Sequence, residues 1–101
     1  MTDAVFLTSE DVSGLASPGE YVEAVREGYR QRGEGAPAKP RTAIRSPEPA
    51  GRLNNYVTIL PESEAMGGYT YATGFESSSA WFITPLFDAR TGEPLAILDG
   101  I

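Results

Sequence analysis

The sequence contains no cysteine and no histidine. Without cysteine the chain forms no disulfides, and without either residue it lacks the cysteine and histidine ligands that zinc prefers. The same two absences exclude Ser/His/Asp triads and thiol nucleophiles. Much of the side-chain chemistry of enzymes is therefore excluded for this chain.

Long hydrophobic runs are also missing. No apolar stretch approaches the roughly 20 residues that a membrane-spanning helix needs, and the N-terminus lacks the basic-then-apolar pattern of a signal peptide. The 14 acidic residues outnumber the 8 basic ones, so the net charge of −6 would be repelled by nucleic acid phosphates. We therefore expect a cytoplasmic protein that binds neither membranes nor nucleic acids.

Basic residues are few, and nearly all of them are arginines. Lys39 is the only lysine, and the other seven basic residues are arginines. An acidic surface poor in lysine fits a salt-adapted organism and fits an ordinary acidic protein equally well. At 101 residues, the chain has room for one modest core and no separate cofactor domain.

The most informative stretch is a predicted β-hairpin near the C-terminus. Residues 81–87 and 95–98 are apolar runs with the β-branched and aromatic content of strands. Asp88 and Gly92 suit the turn between them, and Pro94 suits the start of the second strand. A strand without polar alternation is normally covered on both faces. Because the sequence stops directly after it, we expect an incomplete domain.

Two helices are predicted before the strands. Thr8 is a candidate N-cap for a short helix over residues 9–15. Ser17, with proline next and glutamate three residues on, is a capping box for a second helix over 18–32. Gly33 and Gly35 are expected to end it.

The remaining chain favours strands. Four prolines between residues 34 and 51 exclude a long helix there. Gly67 and Gly68 indicate a sharp turn or a close backbone approach, and residues 77–79 a loop. Further strands are predicted at residues 5–7, 42–45, 55–60 and 69–75. The sequence thus predicts an α+β fold, with two N-terminal helices followed by a mostly antiparallel sheet of about five strands.

The order of these features resembles the N-terminal part of the ornithine cyclodeaminase/μ-crystallin family. The cues are a short strand with a capped helix, a glycine-ended second helix, Pro40-Arg41, Gly67-Gly68-Tyr69 and the hairpin LFDARTGEPLAILDG. The hairpin is the most specific of them. The resemblance covers essentially the whole chain and about the first third of a family member. Such proteins continue into a nucleotide-binding domain for NAD(P).

The resemblance implies a substrate-binding role for Arg41. In the family, the arginine after proline at this place binds the substrate's carboxylate, for which a guanidinium fork is well suited. The alternative is a surface arginine at the start of a strand. Tyr69 and Tyr71 share a strand face, and they either line a pocket or simply pack.

A second implied position departs from the family pattern. Where the family has Gly-x-Lys with a catalytic lysine, this chain has Gly68-Tyr69-Thr70. Threonine does not titrate near neutral pH and cannot replace an amine in proton transfer. The resemblance therefore identifies no catalytic residue in this chain, with Thr70 at the lysine position.

Two functions remain open at this point. The first is an N-terminal fragment of an NAD(P)-dependent oxidoreductase acting on amino or imino acids, which is inactive alone and contains no cofactor site of its own. The second is a free-standing, non-catalytic module derived from that family that binds a small ligand or dimerises. Both include a small amino or keto acid as the expected ligand and a homo-oligomer as the expected assembly.

Overall fold

The structure is a computed structural model that describes residues 3–76 and 81–100; the side chains of residues 81 and 100 are not described. It contains two helices and six strands. In chain order these are β1 (Val5–Leu7), α1 (Ser9–Val12), α2 (Pro18–Gly33), β2 (Ala38–Pro47), β3 (Ala50–Leu60), β4 (Ala65–Thr73), β5 (Trp81–Asp88) and β6 (Pro94–Gly100). A single 3₁₀ turn, Pro61–Ser63, joins β3 to β4.

All six strands belong to one sheet in the order β1-β6-β5-β4-β3-β2. Strands β2 to β6 form an antiparallel meander, and β1 pairs in parallel with β6. The predicted α+β class is confirmed. The sheet is nevertheless mixed and has six strands, not about five. The additional strand is β1, which lies at the edge of the meander and pairs in parallel with β6.

Both predicted helices begin at their predicted caps. Thr8 and Asp11 form one capping box, and Ser17 and Glu20 form the other. The first helix ends at Val12 and not at residue 15, since Ser13 leaves the helical conformation (ψ 123°) and Gly14 follows with φ +82°. Among the described residues, no helix is long and apolar enough to cross a membrane.

Strand β2 is much longer than the predicted 42–45. It contains Pro40 and Pro47, which lack the N–H needed for a sheet ladder. This is tolerated because β2 is the edge strand, where one row of backbone groups needs no partner. The register shifts between Lys39 and Thr42, next to Pro40.

Strand β4 begins at Ala65, so Gly67 and Gly68 lie within the strand and not in a turn before it. A Cβ placed on Gly68 would lie 1.6 Å from the carbonyl oxygen of Tyr56, and one on Gly67 would lie 2.3 Å from that of Pro85. The predicted close backbone approach is therefore correct. Neighbouring strands approach β4 so closely here that a side chain has no room.

The β5–β6 hairpin is confirmed. Asp88 Oδ1 accepts hydrogen bonds from the backbone N–H groups of Arg90 (2.7 Å) and Thr91 (3.0 Å), and Gly92 adopts φ +79°. These hydrogen bonds lower the pKa of Asp88. Strand β6 is interior in the sheet, as predicted, but the prediction that both its faces are covered is wrong, since Leu95 and Ile97 are exposed. The predicted loop at residues 77–79 lies outside the described residues.

The two sides of the sheet differ in chemistry, since side chains of successive strand residues alternate between them. One side, here the tyrosine face, carries Tyr56, Tyr69, Tyr71 and Phe82. Helix α2 covers this side at one end, where Gly28 lies over Leu60. The other side, the apolar face, carries exposed aliphatic side chains on neighbouring strands: Ile44, Leu53, Val57, Ile59, Ile83 and Ile97.

Helix α2 is held to the 3₁₀ turn by polar contacts. Gln31 is only 2% exposed, and its amide nitrogen donates to Ser63 Oγ at 2.8 Å while its Oε1 accepts from the Glu62 backbone N–H at 3.2 Å. Arg30 pairs with Glu27 (2.6 Å) within the helix and with Glu62 (2.9 Å) across to the turn. These contacts set the position of α2 over the tyrosine face.

The Arg30 network leads to a pH-dependent prediction. Glu27 accepts a hydrogen bond from Arg30 and another, with a smaller effect, from Gln31. These bonds lower the pKa of Glu27 from 4.5 to about 2. A lowered carboxylate pKa contributes stability above pH 4.5 that is lost as the pH falls toward 2. We therefore expect Arg30→Gln to lower the melting temperature at neutral pH, and the difference from wild type to shrink in acid.

Arg26→Gln is the matched control for this prediction. It removes the same charge from the same helix, but the described residues pair Arg26 with Glu23 alone, and both side chains are about two-thirds exposed. Such exposed pairs contribute little. Equal effects of the two substitutions on thermal melting would show that the bridge to Glu62 does not anchor α2.

Candidate functional site

The candidate site is built on the tyrosine face, where β3, β4 and β5 bring four aromatic rings together. Tyr56 and Tyr69 are register partners with ring centroids 4.9 Å apart, and Tyr71 stacks on Phe82 at 4.7 Å. A further ring contact of 5.4 Å joins Tyr69 to Phe82. The result is a continuous aromatic floor with three phenol hydroxyls. Tyr69 and Tyr71 thus do share a face, as predicted.

Arg41 lies on the same side of the sheet. Arg41 lies inside the register shift between Lys39 and Thr42, where strict alternation does not apply, so its side follows from its interaction with Tyr56 and not from the register. Its charge acts on Tyr56. Partial burial and a hydrogen bond with Tyr71 raise the pKa of the Tyr56 hydroxyl, and the positive charge of Arg41 opposes this rise. A guanidinium and neutral phenols therefore lie together.

This combination is chemically suited to a carboxylate. A guanidinium offers a fork of N–H donors that matches two carboxylate oxygens, and a neutral phenol adds an O–H donor. Because burial and the Tyr71 hydrogen bond raise its pKa, Tyr56 stays protonated and able to donate. Arg41 itself is exposed and has no carboxylate within ion-pair distance among the described residues.

Thr70 is placed differently. Its Oγ1 accepts a hydrogen bond from Asn55 Nδ2 at 2.8 Å, and its register partners are Asn55 and Ile83. These residues belong to the apolar face, whereas the preceding Tyr69 points to the tyrosine face. The structure therefore brings Arg41 to the tyrosines but does not bring Thr70 to Arg41.

Two grooves flank this region. One, of about 440 Å³, lies between α2 and the sheet, and Val25, Tyr29, Tyr56 and Tyr69 line it. The other, of about 450 Å³, lies on the apolar face against Val57, Met66 and Gly68. Among the described residues, no group of three or more acidic side chains could hold a metal ion.

Sequence reasoning did not identify Tyr56 as a neighbour of Arg41, or Phe82 as part of the aromatic floor. Asn54 is 1% exposed, and its amide nitrogen is 3.4 Å from Thr73 Oγ1. The strand that contains Tyr56 was predicted from the sequence, at residues 55–60. What was missing was the register that places Tyr56 opposite Tyr69.

A scan against protein-family models finds no match, and a search of curated proteins finds none either. Solved structures do match. A probable ornithine cyclodeaminase from Bordetella pertussis Tohama I superposes with a TM-score of 0.84 and 20% identity over 96% of this chain. An archaeal alanine dehydrogenase dimer with bound NAD gives 0.80 and 24% over 95%. The chain has the fold of an N-terminal part of these proteins.

The third match is Thermococcus litoralis Δ¹-pyrroline-2-carboxylate reductase in complex with NADH and L-proline, with a TM-score of 0.79 and 25% identity over 94% of this chain. The aligned regions cover 30% of the first protein and 31% of each of the other two. The chain therefore spans less than a third of the length of the structures it matches. The resemblance to the ornithine cyclodeaminase/μ-crystallin family is confirmed at the level of the fold.

Proposed function

We propose that this chain is the substrate-binding and dimerisation part of an NAD(P)-dependent oxidoreductase that acts on amino or imino acids. The observation that carries the proposal is the placement of Arg41 beside the tyrosines on an accessible sheet face. The matched fold supports it, since the similar structures include an alanine dehydrogenase and a pyrroline-2-carboxylate reductase. In this proposal, Arg41 binds the carboxylate of a small amino or keto acid.

We further propose that the chain forms a single, incomplete domain that is inactive alone. Hydride transfer is the chemistry of the nicotinamide, and the protein's part is to bind and orient the reacting groups. The similar structures that hold NAD or NADH are about three times as long as the region matched here. Threonine at position 70 also provides no amine for proton transfer.

A titration with NADH tests this proposal. The purified chain is expected to show no saturable change in NADH fluorescence, because the proposal assigns the dinucleotide site to a different part of the parent protein. Tight, saturable binding of NADH would contradict it. No observation on the described residues favours the alternative of a free-standing module.

We propose that the apolar face is the dimer interface. Six aliphatic side chains on neighbouring strands are exposed there, including Ile44 at 73% and Ile83 at 53%. Apolar patches of this kind on a soluble domain mark association surfaces. The archaeal alanine dehydrogenase of similar fold is described as a dimer. In a symmetric dimer, the apolar face of each copy would pack against that of the other, so both copies would bury these side chains.

Light scattering checks the assembly. The wild-type chain is expected to be a dimer or larger at micromolar concentration, and Ile83→Lys is expected to shift it toward monomer, because burying an unpaired charge opposes association. Tyr29→Lys is the control, since Tyr29 is exposed on helix α2, on the other side of the sheet. A wild-type chain that is a monodisperse monomer would rule out this interface.

A further inference from the structure

Two further arginines lie on the tyrosine face beyond Arg41. Arg45 and Arg52 are register partners on β2 and β3, so their side chains leave the sheet on the same side and next to each other. Arg45 is four residues after Arg41 on the same strand and lies on the same side. The Cα atoms of Arg41 and Arg45 are therefore separated by about 13 Å. The three arginines form a row along this edge of the sheet.

This arrangement is electrostatically unfavourable without a ligand. Like charges directly opposite each other on neighbouring strands destabilise a sheet. Within residues 3–76 and 81–100, no carboxylate lies within ion-pair distance of Arg45 or Arg52, although the chain carries 14 acidic residues. Arg52 is also half-buried. An unpaired guanidinium that has lost part of its hydration favours an anion beside it.

The surroundings of the pair are consistent with a ligand site. A groove of about 640 Å³ is lined by Arg45, Ser46, Arg52 and Thr73. Asn54 lies between the two ends of the row, since its register partner Ala43 is midway between Arg41 and Arg45. The Oδ1 atom of Asn54 is buried and accepts no hydrogen bond from the described residues. Because Oδ1 is an acceptor, a carboxylate cannot satisfy it; the atom needs a donor, such as a water molecule or the ammonium group of an amino acid.

We propose that Arg45 and Arg52 form a second anion site, and that the tyrosine face takes a ligand with two anionic groups, a dicarboxylic amino or keto acid. One carboxylate binds Arg41, and the distal one binds between Arg45 and Arg52. The flexible arginine stems adjust to the length of the ligand. The role of Arg41 rests on the proposed function, whereas the Arg45–Arg52 site rests on the register and the missing partners.

Calorimetric titration with 2-oxoglutarate and 2-oxopentanoate tests the proposal, because the two acids share a five-carbon skeleton and differ in the distal carboxylate. We expect 2-oxoglutarate to bind at least about tenfold more tightly, as one further charge-assisted interaction allows. Arg52→Gln should remove this advantage and leave 2-oxopentanoate binding unchanged. Arg26→Gln, which removes the same charge from helix α2, should preserve it.

The remaining outcomes separate the two proposals. Equal affinity for both acids, binding of neither, or an undiminished advantage in Arg52→Gln would overturn the second anion site. If Arg41→Gln leaves binding of both acids unchanged while Arg52→Gln weakens 2-oxoglutarate, the second site stands and the assigned role of Arg41 fails. The melting temperature of Arg52→Gln should be no lower than that of wild type, because the repulsion from Arg45 is removed.

Discussion

Gly68→Ala is expected to destabilise the protein by about 3 kcal/mol or more, beyond the usual range for a single added methyl group. A Cβ at this position would lie 1.6 Å from the Tyr56 carbonyl oxygen and 2.8 Å from the Val57 Cα. Both atoms are backbone, so β3 and β4 would have to separate. Urea unfolding followed by circular dichroism measures the loss.

Gly33→Ala is the matched control for this substitution. Gly33 is the last residue of α2, it has no atom within 4 Å of the added Cβ, and its φ is not positive. Alanine at this position should leave stability unchanged or raise it by about 0.5–1 kcal/mol, because alanine loses less entropy in a helix. If both variants unfold at the same urea concentration, the close approach of β3 and β4 at Gly68 is wrong.

Arg41→Ala is expected to weaken the binding of a small keto or amino acid by about 2–5 kcal/mol if the carboxylate pair is desolvated. Because Arg41 is exposed in the structure, a loss of this size requires the bound acid to exclude water from the guanidinium. Calorimetric titration of the chain, or of a full-length parent that contains its nucleotide-binding domain, measures the change.

Arg90→Ala serves as the control for Arg41→Ala. Arg90 is exposed in the β5–β6 turn, away from the aromatic floor, and its substitution removes the same charge. It should leave carboxylate binding unchanged. Unchanged binding in Arg41→Ala would mean that Arg41 is an ordinary surface arginine.

The helices and the last hairpin were predictable because their signals are local. A cap such as Ser17 with Glu20 three residues on fixes a helix start through hydrogen bonds within one turn. The turn at Asp88 likewise uses only neighbouring backbone groups. Such interactions involve residues two or three positions apart, so the sequence contains nearly all the information.

The strands were harder to delimit because their limits depend on sheet position. The sequence predicts a strand only at residues 42–45, yet β2 extends from Ala38 to Pro47 and includes Pro40, because an edge strand tolerates proline. Gly67 and Gly68 were compatible with a turn, yet the neighbouring strands place them inside β4. Neither edge position nor strand spacing can be obtained from residues close in sequence.

The site was predictable only in part for the same reason. Arg41 was identified through a resemblance, and no local sequence pattern pairs it with Tyr56. The register of β2 with β3 decides which side chains share a face, and it places Arg45 opposite Arg52. The register of β3 with β4 places Thr70 on the face opposite to Arg41. That position 70 corresponds to the family's catalytic lysine stays a prediction.

The measurement that tests the central claim most directly is an NMR titration of the isotopically labelled chain with a small keto acid. The claim is that the tyrosine face binds the carboxylate through Arg41. Binding there should shift the backbone amide signals around Arg41, Tyr56, Tyr69 and Tyr71, and Arg41→Ala should abolish the shifts. Saturable shifts confined to the apolar face, or no saturable shift at all, would contradict the claim.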